Sequence, residues 1–269
     1  MNVIHTVSST HEIPFDGGNV EVTLSERGDG RPVLLLHGGG GPQTVIRFAD
    51  LLAAERPARV ITPTHPGFAG TPRRDSLNSI RGLATVYAGL LAELDLSDVT
   101  VVGNSIGGWV AAEMATLDLN RTSGFILVDA VGIEVQGHPI VDFFSLTPRE
   151  VAEHSYYDPD QFGIDPATLP PEALRAMAGN RAALTVYGGA TMNDPTLARR
   201  LVEVTTPTLV IWGDSDRIAT PDYGRALAKA IPGAEFKLLP KTGHMPQLET
   251  PDQLLEAMWA FADGRAQAR

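Results

Sequence analysis

Residues 99–110 read "VTVVGNSIGGWV", and the fold turns on how this stretch is read. Its first four residues are β-branched, with little alternation of apolar and polar, the pattern of a strand covered on both faces. Beyond Gly103 the composition changes to "IGGWVAAEMATLD" (106–118), which is compatible with a helix. Ser105 stands at the junction, inside Gly103-Asn104-Ser105-Ile106-Gly107, a G-x-S-x-G pattern. A sharp strand-to-helix turn there lifts the serine oxygen out of the sheet, and glycine at 103 and 107 lets neighbouring backbone come close. The pentapeptide alone also allows a plainer role, a serine that caps the helix after it.

Outward from this corner, short apolar runs recur: "VEVTL" (20–24), "PVLLLH" (32–37), "RVITP" (59–63), "GFILVD" (124–129), "TLVIWG" (208–213) and "EFKLL" (235–239). Segments with helical spacing lie between them at 44–55, 79–95, 221–231 and 251–264. The last two open with Thr-Pro-Asp, which predicts N-caps at Thr220 and Thr250 with proline at the first helical position. Strand then helix, repeated, predicts an α/β protein with a doubly wound, mostly parallel sheet. The rhythm breaks between residues 132 and 205, a stretch rich in proline and aromatics without an obvious buried strand. It is too long for an ordinary loop and is expected to be a helical cap or lid, inserted in a core made of residues 1–131 and 206–269.

The bulk properties narrow the function classes. A chain of 269 residues with 43% hydrophobic and 20% charged residues fits one large domain. Lys and Arg total 21 against 32 Asp and Glu, a net charge of -11, and no basic stripe is visible, so neither nucleic acid nor an anionic membrane is an expected partner. There are no cysteines, hence neither disulfides nor a thiolate metal site. The start "MNVIHTVSSTHEIPF" lacks the features of a signal peptide, and no apolar run reaches the roughly 18 residues of a membrane span, so a cytoplasmic protein is expected.

Three further motifs bear on chemistry. "LLLHGGGGP" (34–42) follows a strand with a glycine run whose amides can face a developing negative charge, and the N–H groups of Gly39 and Ile106 are the candidate oxyanion donors. A dinucleotide loop is the competing reading, but it needs an acid at the end of the next strand, and "RVITPTHPG" has none. A serine nucleophile needs a base, and "PKTGHMPQLETP" supplies His244 in a loop after the last strand. The base in turn needs an acid to hold its tautomer. "IWGDSDRIAT" offers Asp214 and Asp216; Asp216, farther into the loop, is preferred, Asp214 reads as a turn former, and Asp129 is the fallback.

With Ser105, Asp216 and His244 in this order, "HGGGGP" upstream and "THPGF" after a strand, the chain resembles the α/β-hydrolase fold superfamily over nearly its whole length. The resemblance implies an eight-stranded, mostly parallel sheet, a cap after the sixth strand, and a Ser/His/Asp triad with no metal or organic cofactor. "GNS" and "HGGGGP" are also similar to the hydrolases that cleave carbon-carbon bonds in aromatic ring-fission products, and Arg181 can stand for their cap arginine. Those enzymes carry tryptophan after the catalytic histidine, however, where this chain has Met245. Hydrolysis of a small apolar ester or lactone is therefore expected first and carbon-carbon cleavage second. Peroxide-dependent oxidation by the same triad, and a receptor that binds without turnover, are further alternatives. Phe143, Phe144, Leu146 and Tyr157 of the cap, with Met245, are the expected substrate-binding side chains. Tyr156, Met177 and Tyr187 can line the same pocket, while Trp109 reads as buried support. The expected partner is a small-molecule substrate, and homodimerisation is left open.

Overall fold

The computed structural model describes residues 5–117 and 119–267. The strands are β1 (Thr6–Phe15), β2 (Gly18–Arg27), β3 (Arg31–Leu36), β4 (Ala58–Pro63), β5 (Val99–Asn104), β6 (Thr122–Val128), β7 (Thr208–Gly213) and β8 (Glu235–Leu239). They form one sheet in the order β1-β2-β4-β3-β5-β6-β7-β8. β1 and β2 run antiparallel to each other, as do β2 and β4, and the rest is parallel. The family resemblance called for eight strands, whereas the apolar runs gave seven. The missing one is β1, whose residues are almost all solvent-facing and so carry no apolar signature.

Alternate side chains of a strand face opposite sides of a sheet, and the central strands divide accordingly. Leu34, Leu36, Val101, Leu127, Val210 and Trp212 enter one buried layer. Val33, Leu35, Val102, Ile126, Val128, Leu209 and Ile211 enter the other. The first layer is closed by α2 (Ile80–Glu93), α3 (Ile106–Ala115) and α8 (Pro221–Ala230), through residues such as Leu83, Tyr87, Val110 and Leu227. The second is closed by α1 (Gln43–Glu55) and α10 (Pro251–Gln267), through Phe48, Leu52, Leu254 and Met258. Each fully buried side chain of this kind contributes about 1.5–3 kcal/mol of transfer free energy, so both faces of the central strands must stay covered.

Between β6 and β7 the chain builds α4 (Pro148–Ser155), α5 (Pro159–Phe162), α6 (Pro171–Gly188) and α7 (Leu197–Leu201), and the short α9 (Pro246–Glu249) precedes α10. Ser79 caps α2 through Gly82 N, and Thr147 with Glu150 forms a capping box on α4. Threonine takes the expected N-cap position of α8, with proline first in the helix, but the side-chain cap bond does not form. The Thr250 hydroxyl pairs with that of Thr242 at 2.9 Å. Proline at the first turn already fixes the backbone there, so the cap is dispensable. Among the described residues no helix is long and apolar enough to cross a membrane.

The strand order also places the site. After β3 the chain moves outward to β4, then returns to lay β5 on the other side of β3 and continues to β8. The loops leaving the carboxyl ends of β3 and β5 therefore diverge and leave a crevice, the position where sheets of this kind hold ligands. The histidine-glycine run follows β3 and Ser105 follows β5.

Candidate active site

Ser105 has φ 56° and ψ -119°, a left-handed backbone that non-glycine residues adopt only at a cost of order 1–3 kcal/mol. Its N–H donates to Val128 O at 2.9 Å and its carbonyl accepts from Trp109 N at 3.0 Å, which ties the corner to β6 and to α3. The side chain makes no capping bond to α3, so the plainer reading of this serine is not what the structure holds. The close approach expected of the flanking glycines is real. A Cβ on Gly103 would lie 2.1 Å from Gly107 O, and one on Gly107 2.4 Å from Leu36 O and 2.6 Å from His37 O.

The loop after β3 lies against this corner: a Cβ on Gly38 would fall 2.9 Å from Asn104 Oδ1 and 3.2 Å from the Ser105 Cβ. Two buried histidines hold the loop. His37 Nδ1–H donates to Gly38 O (2.7 Å) and its Nε2 accepts from His65 N (3.0 Å). His65 Nε2–H donates to His37 O (2.9 Å) and its Nδ1 accepts from the Tyr87 hydroxyl. Acceptance at Nε2 requires the His37 ring to be neutral. Burial lowers His37 to about 4 and takes His65 well below the ordinary histidine value, His37 adding to the second effect. Gly39 follows directly on this pinned segment, and Ile106 is the first residue of α3, ahead of the helix's own hydrogen-bond ladder.

The structure also brings His244 and Asp216 together. His244 Nδ1–H donates to Asp216 Oδ2 at 2.8 Å, and Asp216 Oδ1 accepts from Ile218 N (2.8 Å) and Ala219 N (3.3 Å). Both side chains are buried. A carboxylate accepts only, so Nδ1 carries a proton, and in the neutral ring the lone pair is then on Nε2. Asp214 is exposed and accepts from Ser215 Oγ (2.7 Å) and Thr242 N (3.3 Å), the turn role expected of it. Asp129 is buried beside the pair, with one oxygen on Gly213 N at 2.8 Å.

The residue that joins the two halves was not singled out in the sequence. Asn104 Nδ2 donates to His244 O at 3.0 Å, and Asn104 Oδ1 accepts from Gln247 Nε2 at 3.2 Å. The neighbour of the serine thus grips the backbone of the histidine loop. From its outer side the loop is held by His244 N to Ser155 O (2.6 Å) and by Glu249, which accepts from Gly243 N (2.6 Å) and Tyr157 N (2.8 Å). Except for Gly243 and Glu249, six residues apart, these partners lie far apart in the chain and carry no local signal.

One stripe of α6 rests on the site. Asn180 donates to Gly40 O (2.9 Å) and accepts from Ala69 N (2.8 Å), and the Tyr187 hydroxyl donates to Pro66 O (2.9 Å). Ala183 and Leu184 complete the stripe, with Leu184 over Gly39, where an added Cβ would meet it at 2.8 Å. The spacing 180, 183, 184, 187 is one helical face. Of the expected substrate-binding side chains, Phe143 and Phe144 are partly buried against the core, in edge-to-face contact at 5.7 Å. Arg181 donates to Phe144 O at 2.6 Å and lies over both rings. Leu146 and Met245 are half-buried. Tyr157 is not drawn in with them: its side chain is 51% exposed, as Met177 is at 39%. Trp109 is buried under Gly132, as expected of support.

The sequence profile of the alpha/beta hydrolase family matches residues 33–257. The chain belongs to this family. Among curated relatives, it is 28% identical over 246 residues to the dihydrolipoyllysine-residue acetyltransferase component of the acetoin cleaving system of Pseudomonas putida, covering 86% of this chain and 63% of that protein. It is 26% identical over 267 residues to the 2-hydroxy-6-oxo-6-(2'-aminophenyl)hexa-2,4-dienoic acid hydrolase of Metapseudomonas resinovorans, covering 93% of this chain and 90% of that one. Among solved structures, a thermophilic esterase from Thermogutta terrifontis superposes with a TM-score of 0.77 at 23% identity, over 96% of this chain and 99% of that one. The matched stretch takes in the serine corner, the glycine run after β3 and the histidine loop.

Proposed function

We propose that the chain is a serine hydrolase that cleaves a small apolar ester or lactone through an acyl-enzyme on Ser105. The observation that carries this reading is the His244–Asp216 pair, 2.8 Å apart and buried, whose loop is tied through His244 O to Asn104, the neighbour of a serine whose strained backbone serves no capping purpose. Ser105 Oγ attacks the carbonyl carbon while His244 Nε2 takes its proton. The oxyanion is met by the amides of Gly39 and Ile106, each worth about 3–4 kcal/mol of barrier. His244 then passes its proton to the leaving group, and a water activated by the same nitrogen releases the acid. Asp216 holds the Nδ1 proton and stabilises the imidazolium without taking that proton.

In this reading residues 132–205 act as a lid over a core of residues 1–131 and 206–269. The α6 face on Gly39 and Gly40 closes the site from above, and Phe143, Phe144, Leu146 and Met245 supply apolar contact to the acyl chain. A non-catalytic receptor has no use for a strained serine beside a paired imidazole, since that strain subtracts from stability without return. Carbon-carbon cleavage of a vinylogous diketone is the second reading. It is favoured by the relatedness to the hexadienoic acid hydrolase and by Arg181, a fixed cation at the base of the lid. It is disfavoured by Met245 after the histidine.

The test is a panel of short aryl esters, lactones and vinylogous diketones run against wild type and Ser105→Ala. Turnover of esters or lactones that disappears in Ser105→Ala is the expected result. A profile confined to diketones reverses the order of the two readings, and turnover that survives Ser105→Ala removes both.

A further inference from the structure

Serine hydrolase chemistry uses Asp216 and leaves a second buried acid without a task. Asp129, just past the end of β6, is 0% exposed and has φ 45°. One oxygen accepts from Gly213 N at 2.8 Å, which holds the end of β6 to the end of β7. The other, Oδ2, is equally buried and has no partner. An oxygen of Asp129, an oxygen of Asp216 and a ring nitrogen of His244 all lie within 4.8 Å of one another. His244 is the basic group beside these acids, and among the described residues neither carboxyl is ion-paired to Lys or Arg. Two carboxylates so close in a buried site, with no Lys or Arg to neutralise them, do not both ionise.

We propose that Asp129 keeps its proton and donates it as a hydrogen bond from Oδ2 to the Asp216 carboxylate, making the acid behind His244 a carboxylic acid–carboxylate pair with one shared proton. Asp129 is then a positioning residue. The inference rests on the reading of Ser105, His244 and Asp216 as the catalytic set. With the proton in place every oxygen of the pair has a partner: Gly213 N–H on Asp129 Oδ1, the amides of Ile218 and Ala219 on Asp216 Oδ1, and His244 on Asp216 Oδ2. Burial first, and the charge of Asp216 second, push the Asp129 carboxyl well above the usual carboxylate range, against the pull of the Gly213 amide. The titratable groups facing it are Asp216 from the β7–α8 loop, His244 from the loop after β8 and, more weakly, Glu249 of α9.

The proton sets the charge against which His244 works. With Asp129 neutral, the pair carries one negative charge, which the imidazolium formed during attack cancels. With both acids ionised, the second charge holds the imidazolium too firmly and delays return of its proton to the leaving group. As pH rises through the elevated value of Asp129, turnover should fall for this reason.

Infrared spectra of wild type labelled with ¹³C-aspartate test protonation without any variant. The expected result is a carboxylic-acid carbonyl band at pH 8 that shifts in D₂O; absence of that band overturns the inference. Asp129→Leu, which has no donor, should lower kcat by about tenfold to a hundredfold, the loss of one hydrogen bond to a charged group. Asp129→Asn, whose amide can donate to Asp216 and accept from Gly213, should recover most of that loss and abolish the alkaline fall in kcat. An Asn variant as slow as the Leu variant, or an unchanged alkaline limb, also overturns it. Turnover surviving Ser105→Ala sinks the catalytic reading instead, and the infrared band still decides the state of Asp129.

Discussion

Replacing Asn104 by leucine removes the bridge between the serine corner and the histidine loop while keeping the branched shape of the side chain. Two buried partners then lose their bonds: His244 O, 3.0 Å from Nδ2, and Gln247 Nε2, 3.2 Å from Oδ1. Val128 O loses a longer contact but still accepts from Ser105 N at 2.9 Å, so it adds little. An orphaned buried polar group costs about 1–3 kcal/mol, and leucine recovers part of this through apolar contact, leaving a net loss of about 3 kcal/mol. In a chain of this size that is about 6–12 °C in Tm. The kinetic effect is separate, because the histidine loop is still held by Ser155 and Glu249 on its outer side and loses only its inner anchor. The imidazole is then placed less well relative to Ser105, and a misplacement of this kind costs kcat about tenfold to a hundredfold with KM nearly unchanged. Calorimetric unfolding and steady-state hydrolysis of an aryl ester measure the two effects. A variant with wild-type Tm and wild-type kcat would show that the bridge holds nothing in place.

Other substitutions separate the remaining parts. Gly107→Ala drives a methyl against the backbone carbonyls of Leu36 and His37; neither can yield without moving the glycine loop, so stability should fall by about 1–3 kcal/mol and kcat by a larger factor than KM, as steady-state kinetics will show. Asp216→Asn leaves the geometry but loses the tautomer control and should lower kcat by about 10⁴, whereas Asp214→Asn, on an exposed turn, should leave kcat within about threefold; equal effects in the two variants would contradict the assignment. His37 is neutral in the fold, with its value lowered to about 4 from 6.5. Its contribution to stability is therefore full above pH 6.5 and is lost as pH falls towards 4, by about 3 kcal/mol, with buried His65 acting in the same sense. Urea unfolding at several pH values should show this slope in wild type and a shallower one in His37→Asn.

The parallel core was legible because its strands are covered on both faces and so become continuous apolar runs, as Val33–Leu36 and Phe125–Val128 show. β1 was not, since only Ile13 of its residues is fully buried. Its signal lay instead in the Asp16-Gly17 pair, both with positive φ, which joins β1 to β2 in a tight hairpin. The strand-to-helix corner was readable from two glycines at fixed spacing around Ser105. The choice of Asp216 over Asp214 followed from how far a carboxylate must swing from the end of β7. The ties that hold the site together were not readable: Asn104 to His244, Glu249 to Gly243 and Tyr157, and Asn180 to Gly40 and Ala69 span up to 140 residues. A buried amide advertises its need for partners only after the fold has buried it.

The central claim is that Ser105 is a nucleophile made reactive by His244. A serine-directed fluorophosphonate, followed by mass spectrometry of the peptide spanning residue 105, measures this without knowledge of the natural substrate. The account predicts one adduct per chain on Ser105, none in Ser105→Ala, and labelling slowed by about 10³-fold or more in His244→Ala. Labelling of His244→Ala at the wild-type rate, or ester turnover by a protein whose Ser105 stays unmodified, would contradict it.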